Sequence, residues 1–131
     1  MDIKEKYKEA RFLDNKVDRL KEELEELSTV ISAIDTTKDA VQTSNQSDLS
    51  DSVLKIDAVK AQIKECMAKL SEYKKDALES LDKIKNTDEY NLMFKRYIQL
   101  KSWEEISVEM HFTIRYTYKL HGKCLKKLKS A

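Results

Sequence analysis

The chain has 131 residues, 37% of them charged, with 25 Lys and Arg against 24 Asp and Glu, a single Gly, no Pro and two Cys. One Gly excludes a Gly-rich phosphate loop, and two isolated Cys exclude a disulfide framework and fit a reducing cytoplasm. Neither a signal sequence nor an apolar run of about 18 residues is present, so a cytoplasmic protein without a membrane span is expected.

The first 86 residues carry helical seams. Apolar residues recur at Leu13, Val17, Leu20, Leu24, Leu27, Ile31 and Ile34, alternating four and three. That is a heptad seam, and Ile3, Tyr7 and Ala10 continue it after a three-residue phase slip. A polar stretch from Asp35 to Ser50, rich in Thr, Ser, Asn and Gln, is the best loop candidate, over about 35–50, with partial helix left open because it lacks Pro and Gly. A second seam runs through Ile56, Val59, Ile63, Cys66, Leu70, Tyr73, Ala77, Leu81 and Ile84, with Ser50-Asp51-Ser52 placed to cap its helix. Two such helices predict an antiparallel hairpin. One narrow stripe per helix, at about 25 cal/mol per Å², hardly offsets ordering costs of about 1–2 kcal/mol per residue. Self-association is therefore expected, with hairpins pairing as a dimer in a four-helix arrangement. The alternative is an elongated monomer whose hairpin packs on the C-terminal helices.

Asn86-Thr87-Asp88 marks the expected break before a second region, 87–131. Thr87 is placed to cap a helix whose apolar side carries Tyr90, Met93, Phe94, Tyr97 and Ile98. Lys95 and Arg96 either touch phosphates or form a solvated surface. Ser102 then caps a short helix, with Glu105 completing a capping box and Trp103, Ile106 and Met110 on one face. Trp103 is read as core. His111-Phe112 makes a turn, and Thr113 caps the last helix, whose buried stripe is Thr117, Leu120, Cys124 and Leu128. Exposed on that helix are Ile114, Arg115, Tyr116, Tyr118, Lys119, Lys123 and Lys126. Gly122 sits mid-helix at a cost of about 1 kcal/mol against Ala, giving close approach to DNA or to another helix.

Charge is unevenly spread. Residues 88–131 hold nine Lys or Arg against five Asp or Glu, a net +4, whereas residues 1–87 hold sixteen against nineteen, a net −3. From Thr113 onward there are six bases (Arg115, Lys119, Lys123, Lys126, Lys127, Lys129) and no acid. Two helices joined by a tight turn, the second cationic throughout, are how a protein presents a helix to the DNA major groove. The candidate DNA-binding residues are Thr113, Ile114, Arg115, Tyr116, Tyr118, Lys119, Lys123, Lys126 and Lys127. Arg115, Tyr116 and Lys119 are placed toward bases, and the basic end of the helix toward phosphates.

The framework of this segment resembles region 4 of sigma-70-type factors. Ser102, Trp103, Glu104, Glu105, Ile106 and Ser107 match the family's opening, Thr113 its capping Ser, and Thr117, Leu120, Cys124 and Leu128 its later framework positions. With Arg96-Tyr97-Ile98 and Lys119-Leu120-His121, the chain more closely resembles short siphophage proteins of Gram-positive hosts, related to ArpU-type and RinA-type late transcription regulators. That resemblance covers nearly the whole chain. It implies a phage-encoded regulator in a bacterial host cytoplasm. At the family's promoter-reading positions this chain carries Ile114, Arg115 and Tyr118, so the fold carries over and a standard promoter specificity does not.

No catalytic, cofactor or metal constellation emerges. Cys66 and Cys124 occupy seam positions as small apolar residues, and His111 and His121 lack the partners of a zinc pattern. The expected fold is all-α: a long N-terminal helical hairpin or coiled coil, then a small three-helix helix-turn-helix domain. The expected function is sequence-specific binding of double-stranded DNA as a homodimer for transcription regulation, without enzyme activity. The alternative is a protein-interaction module that binds RNA polymerase or a repressor.

Overall fold

A computed structural model describes residues 2–36 and 43–129. The protein is all-helical: α1 (Ile3–Thr36), α2 (Thr43–Leu81), α3 (Thr87–Tyr97), α4 (Trp103–Met110) and α5 (Ile114–Lys129), with no strand among the described residues. No described helix is long and apolar enough to cross a membrane.

Two expected boundaries move. The stretch expected as a loop over 35–50 is helical through Thr36 and again from Thr43, while 37–42 lies outside the described residues. Ser50, Asp51 and Ser52 therefore sit inside α2 and do not cap it. The stretch holds neither Pro nor Gly, so its polar residues lower helix propensity yet leave Asp35, Thr36 and 43–50 helical. At the start of α3 the cap is Asn86, not Thr87: Asn86 is extended (φ −78°, ψ 132°) and its Oδ1 accepts from the Glu89 N–H at 3.1 Å. Asn is the stronger cap, and Thr87 becomes the first helical residue.

The chain forms two compact units, Met1–Arg11 with Ser71–Ala131, and Phe12–Leu70. The expected boundary at residue 86 falls inside the first of these. In the Phe12–Leu70 unit, Val17, Leu20, Val59, Cys66 and Leu70 are buried. Leu13, Leu24, Leu27, Ile31, Ile56 and Ile63 are half-buried, so the described seam positions are those withdrawn from water. The side chain of Ile34 lies outside the described residues. Phe12, Val30, Val53, Leu54 and Met67 remain exposed on this unit.

The other unit gathers α3, α4 and α5, each packed on the other two. Leu92, Met93, Tyr97, Ile106, Thr117 and Cys124 are fully buried there, together with Leu81 and Ala77 of α2. Ile3 and Ala10 of α1 are also buried in this unit, and Tyr7 meets the Tyr97 ring edge-on at 5.5 Å. Arg11 donates to the Leu100 carbonyl. The phase slip between Ala10 and Leu13 thus coincides with the boundary between units. Tyr73 is buried with its hydroxyl unpartnered among the described residues, and burial pushes that phenol above its ordinary range.

The α3–α4 connection is set by Leu100, which takes a left-handed conformation (φ 57°). The Ile98 and Gln99 N–H groups both bond the Phe94 carbonyl, and the turn at Leu100 brings the Lys101 N–H to the Lys95 carbonyl at 3.0 Å. A left-handed Leu costs about 1–2 kcal/mol, which burial of its side chain offsets by a similar amount; Leu100 is 3% exposed.

Candidate nucleic-acid interface

The segment from α4 to α5 is held by local hydrogen bonds at each end of its turn. Ser102 caps α4, its Oγ accepting from the Glu105 N–H at 3.2 Å. At the other end His111 is left-handed (φ 59°); its N–H bonds the Val108 carbonyl, and the Phe112 N–H bonds the Ser107 carbonyl at 2.9 Å. This pair of bonds is a Schellman motif, which uses carbonyls that the helix end leaves unpaired. Two residues on, Thr113 Oγ1 accepts from the Tyr116 N–H at 3.1 Å and caps α5. The turn therefore fixes the direction in which α5 leaves α4.

One side of α5 is dry. Thr117 and Cys124 are fully buried, Leu120 is buried and Leu128 half-buried. Thr117 tolerates the core because its hydroxyl donates to the Thr113 carbonyl at 2.9 Å. Along the outward face Arg115, Lys119, Gly122 and Lys126 recur at four, three and four, a single line on a helix. Among the described residues Arg115 and Lys119 are exposed and make no ion pair. Beside this line stand Ile114 and Tyr118, 40% and 49% exposed. The Tyr118 ring is held edge-on by Trp103 at 5.6 Å, and the Tyr116 ring by Phe112 at 4.8 Å.

Several residues expected at a phosphate or base surface have work inside the chain. Lys127 reaches the Glu89 carboxylate at 2.6 Å, and Lys123 reaches it at 3.6 Å. Glu89 is 2% exposed, so its charge requires a cation, and the flank of α5 toward α3 supplies two. Lys127 and Lys123 thus tie α5 to α3. Lys95 pairs with Glu109 at 2.7 Å, as does Lys101, and these two lysines hold the Glu109 carboxyl below its ordinary range. Arg96 lies over the Tyr7 ring at 4.2 Å and the Trp103 ring at 4.3 Å and donates to the Lys101 carbonyl. It is a packing residue here, not a bare phosphate contact.

Trp103 is half-buried, its ring meeting Arg96, Tyr118 and His121. His121 shares a hydrogen bond of 2.6 Å with the Tyr97 hydroxyl. Burial, then the Lys4 and Arg96 charges, push His121 down to about 4. Burial, followed by the nearby Glu89 carboxylate, pushes the Cys124 thiol up to about 11, so it stays a thiol at neutral pH. Among the described residues no group of His, Cys, Asp and Glu could hold a metal ion. The Gly122 position is open: a Cβ there would meet no atom within 4 Å.

No family model, curated protein or solved structure matches this chain. Sequence reasoning missed Glu89, Glu109, Tyr7 and Arg11 as residues that hold this unit together. The Asn86-x-x-Glu89 spacing was a readable signal for the cap and for Glu89. The long-range contacts of Tyr7 and Arg11 leave no local pattern.

Proposed function

We propose that this chain is a sequence-specific double-stranded DNA-binding protein in which α4, its turn and α5 act as a sigma region 4-like helix-turn-helix. In this reading α3 is the supporting helix, α5 enters the major groove, and the seams of α1 and α2 form an antiparallel hairpin. The observation that carries the proposal is the outward line of α5. Arg115 and Lys119 project from a helix fixed on two sides by packing, with no acid on α5 to compete for them. Such cations gain most by displacing counterions from phosphates or bonding base edges. The resemblance to late transcription regulators adds a regulatory role in a phage-infected bacterial cytoplasm. Exposed Phe12, Val53, Leu54 and Met67 support pairing of two copies, which would present two α5 helices to two half-sites.

The test is a gel shift against DNA fragments enriched from a random library, repeated across salt, with light scattering for mass. Arg115→Ala lowers specific binding more than non-specific binding. Lys126→Ala lowers both and flattens the slope of log affinity against log salt by about 0.9. Equal losses for Arg115→Ala remove it from base reading, and a monomeric mass removes the dimer.

A second reading has one observation in its favour: Val108, at 74% exposure, adds an apolar residue near Ile114 in sequence position and at the same turn. On that reading the α4–α5 segment docks on RNA polymerase or a repressor. Capture of such a protein with no DNA shift at low salt supports it.

A further inference from the structure

The outward surface of α5 is cationic along one line and apolar beside it, and the apolar part is unexplained by the fold. Ile114 is the first residue of α5 and Tyr118 lies one turn on; both keep large fractions of their surface in water. Neither is free to fold away. A β-branched side chain in a helix is nearly confined to one χ1 rotamer, and the Tyr118 ring is held against Trp103. Arg115 adjoins Ile114, on the same end of the helix.

We propose, on the basis of the DNA-binding reading above, that Ile114 and Tyr118 read thymine 5-methyl groups beside a guanine read by Arg115. The major groove is where a base pair shows an apolar group, and thymine is the base that carries it. The Arg fork matches guanine O6 and N7, while aliphatic and aromatic side chains match the methyl. Ile114 and Tyr118 are four residues apart, about 6 Å along a helix axis, and stacked bases rise about 3.4 Å per step. The methyl groups read by the two side chains therefore fall within about two base pairs of the guanine. A protein surface fits this strip less well. Protein interfaces of standard size bury about 800 Å² per partner, whereas the large exposed apolar side chains of the α4–α5 segment are Val108, Ile114, Tyr116 and Tyr118, the last three interspersed in sequence with Arg115 and Lys119.

The experiment uses the full chain and a duplex selected from a random library. Each thymine is replaced in turn by deoxyuridine, which removes the methyl and leaves every hydrogen-bonding group. Binding is measured for the wild type, Ile114→Ala and Tyr118→Ser, with thermal melts to confirm that the variants fold. Deoxyuridine at one or two positions within two base pairs of the Arg115-dependent guanine should weaken wild-type binding about 3- to 10-fold. Ile114→Ala should bind the thymine and deoxyuridine duplexes equally at one of these positions, and Tyr118→Ser at the other. A selected duplex that binds tightly but ignores every deoxyuridine substitution overturns methyl reading and leaves DNA recognition intact. Binding without any preferred sequence overturns methyl reading and base specificity together. No binding at low salt overturns the DNA reading itself.

Discussion

Lys127 provides the sharpest test of how this fold is held. Glu89 is buried, bonded by Lys127 at 2.6 Å and approached by Lys123 at 3.6 Å. Removing one partner of a fully buried pair costs about 3–5 kcal/mol, because a charge is stranded. Here the cost is smaller: the Lys127 side chain is 45% exposed, and Lys123 remains to move in. Lys127→Met should therefore destabilise by about 1–2 kcal/mol, after allowance for that screening. Glu89→Gln keeps the shape but removes the charge that needs a partner, so its cost should be lower, at most about 1 kcal/mol. The two changes combined should cost less than their sum, because Lys127→Met strands nothing once Glu89 is neutral. Urea unfolding of the four chains measures this, and in heat denaturation each kcal/mol corresponds to about 3–5 °C for a chain of this size. A Lys127→Met protein as stable as the wild type, or costs that simply add, would refute the idea that the Glu89 charge depends on Lys127.

Gly122→Ala should stabilise the unbound protein by up to about 1 kcal/mol, since it is mid-helix and its Cβ meets nothing; a lower melting temperature would contradict this. Ser102→Ala should cost about 1 kcal/mol by stranding the Glu105 N–H at the start of α4, read by urea unfolding. His121, held at about 4 against an ordinary 6.5, binds its proton later in the folded chain than in the unfolded one. Stability should therefore fall as pH drops below about 6.5 and the loss should be complete below about 4, at about 1–2 kcal/mol once partial exposure is allowed for. His121→Gln should lose this part of the pH dependence, and melting curves at pH 7 and pH 4.5 that fall equally in both proteins would count against it.

Periodicity made the helices legible, and chemistry at their ends made the caps partly so. The described positions of both seams, Leu13 to Ile31 and Ile56 to Ile84, are the ones buried or half-buried, because a 3.5-residue apolar repeat has one face to hide. Ser102 and Thr113 cap as expected from residue type and position. Thr87 misled because Asn86 beside it caps better, and the pattern Asn86-x-x-Glu89 carried the choice. Within the 35–50 stretch, Asp35, Thr36 and 43–50 are helical, because polar residues without Pro or Gly weaken a helix without excluding it, and 37–42 lies outside the described residues. At the candidate interface, exposure of Ile114, Arg115, Tyr118 and Lys119 was readable from helical spacing. The diversion of Lys123, Lys127, Lys95 and Arg96 into ion pairs and ring contacts was not. Those partners lie on other helices, and pairwise charge matching at long range leaves no periodic trace.

The contacts of Tyr7 with Tyr97 and of Arg11 with Leu100, about ninety positions apart, give the protein a particular order of assembly. During synthesis the start of α1 leaves the ribosome before α3 to α5, and the surface that buries it is completed only when they follow. Ile3 and Tyr7 must wait in water while the intervening chain is made, at about 5–20 residues per second. Closing such long loops also slows folding relative to helical proteins whose contacts are local. The nascent chain therefore passes through a stage lasting several seconds in which the apolar start of α1 is open to other proteins.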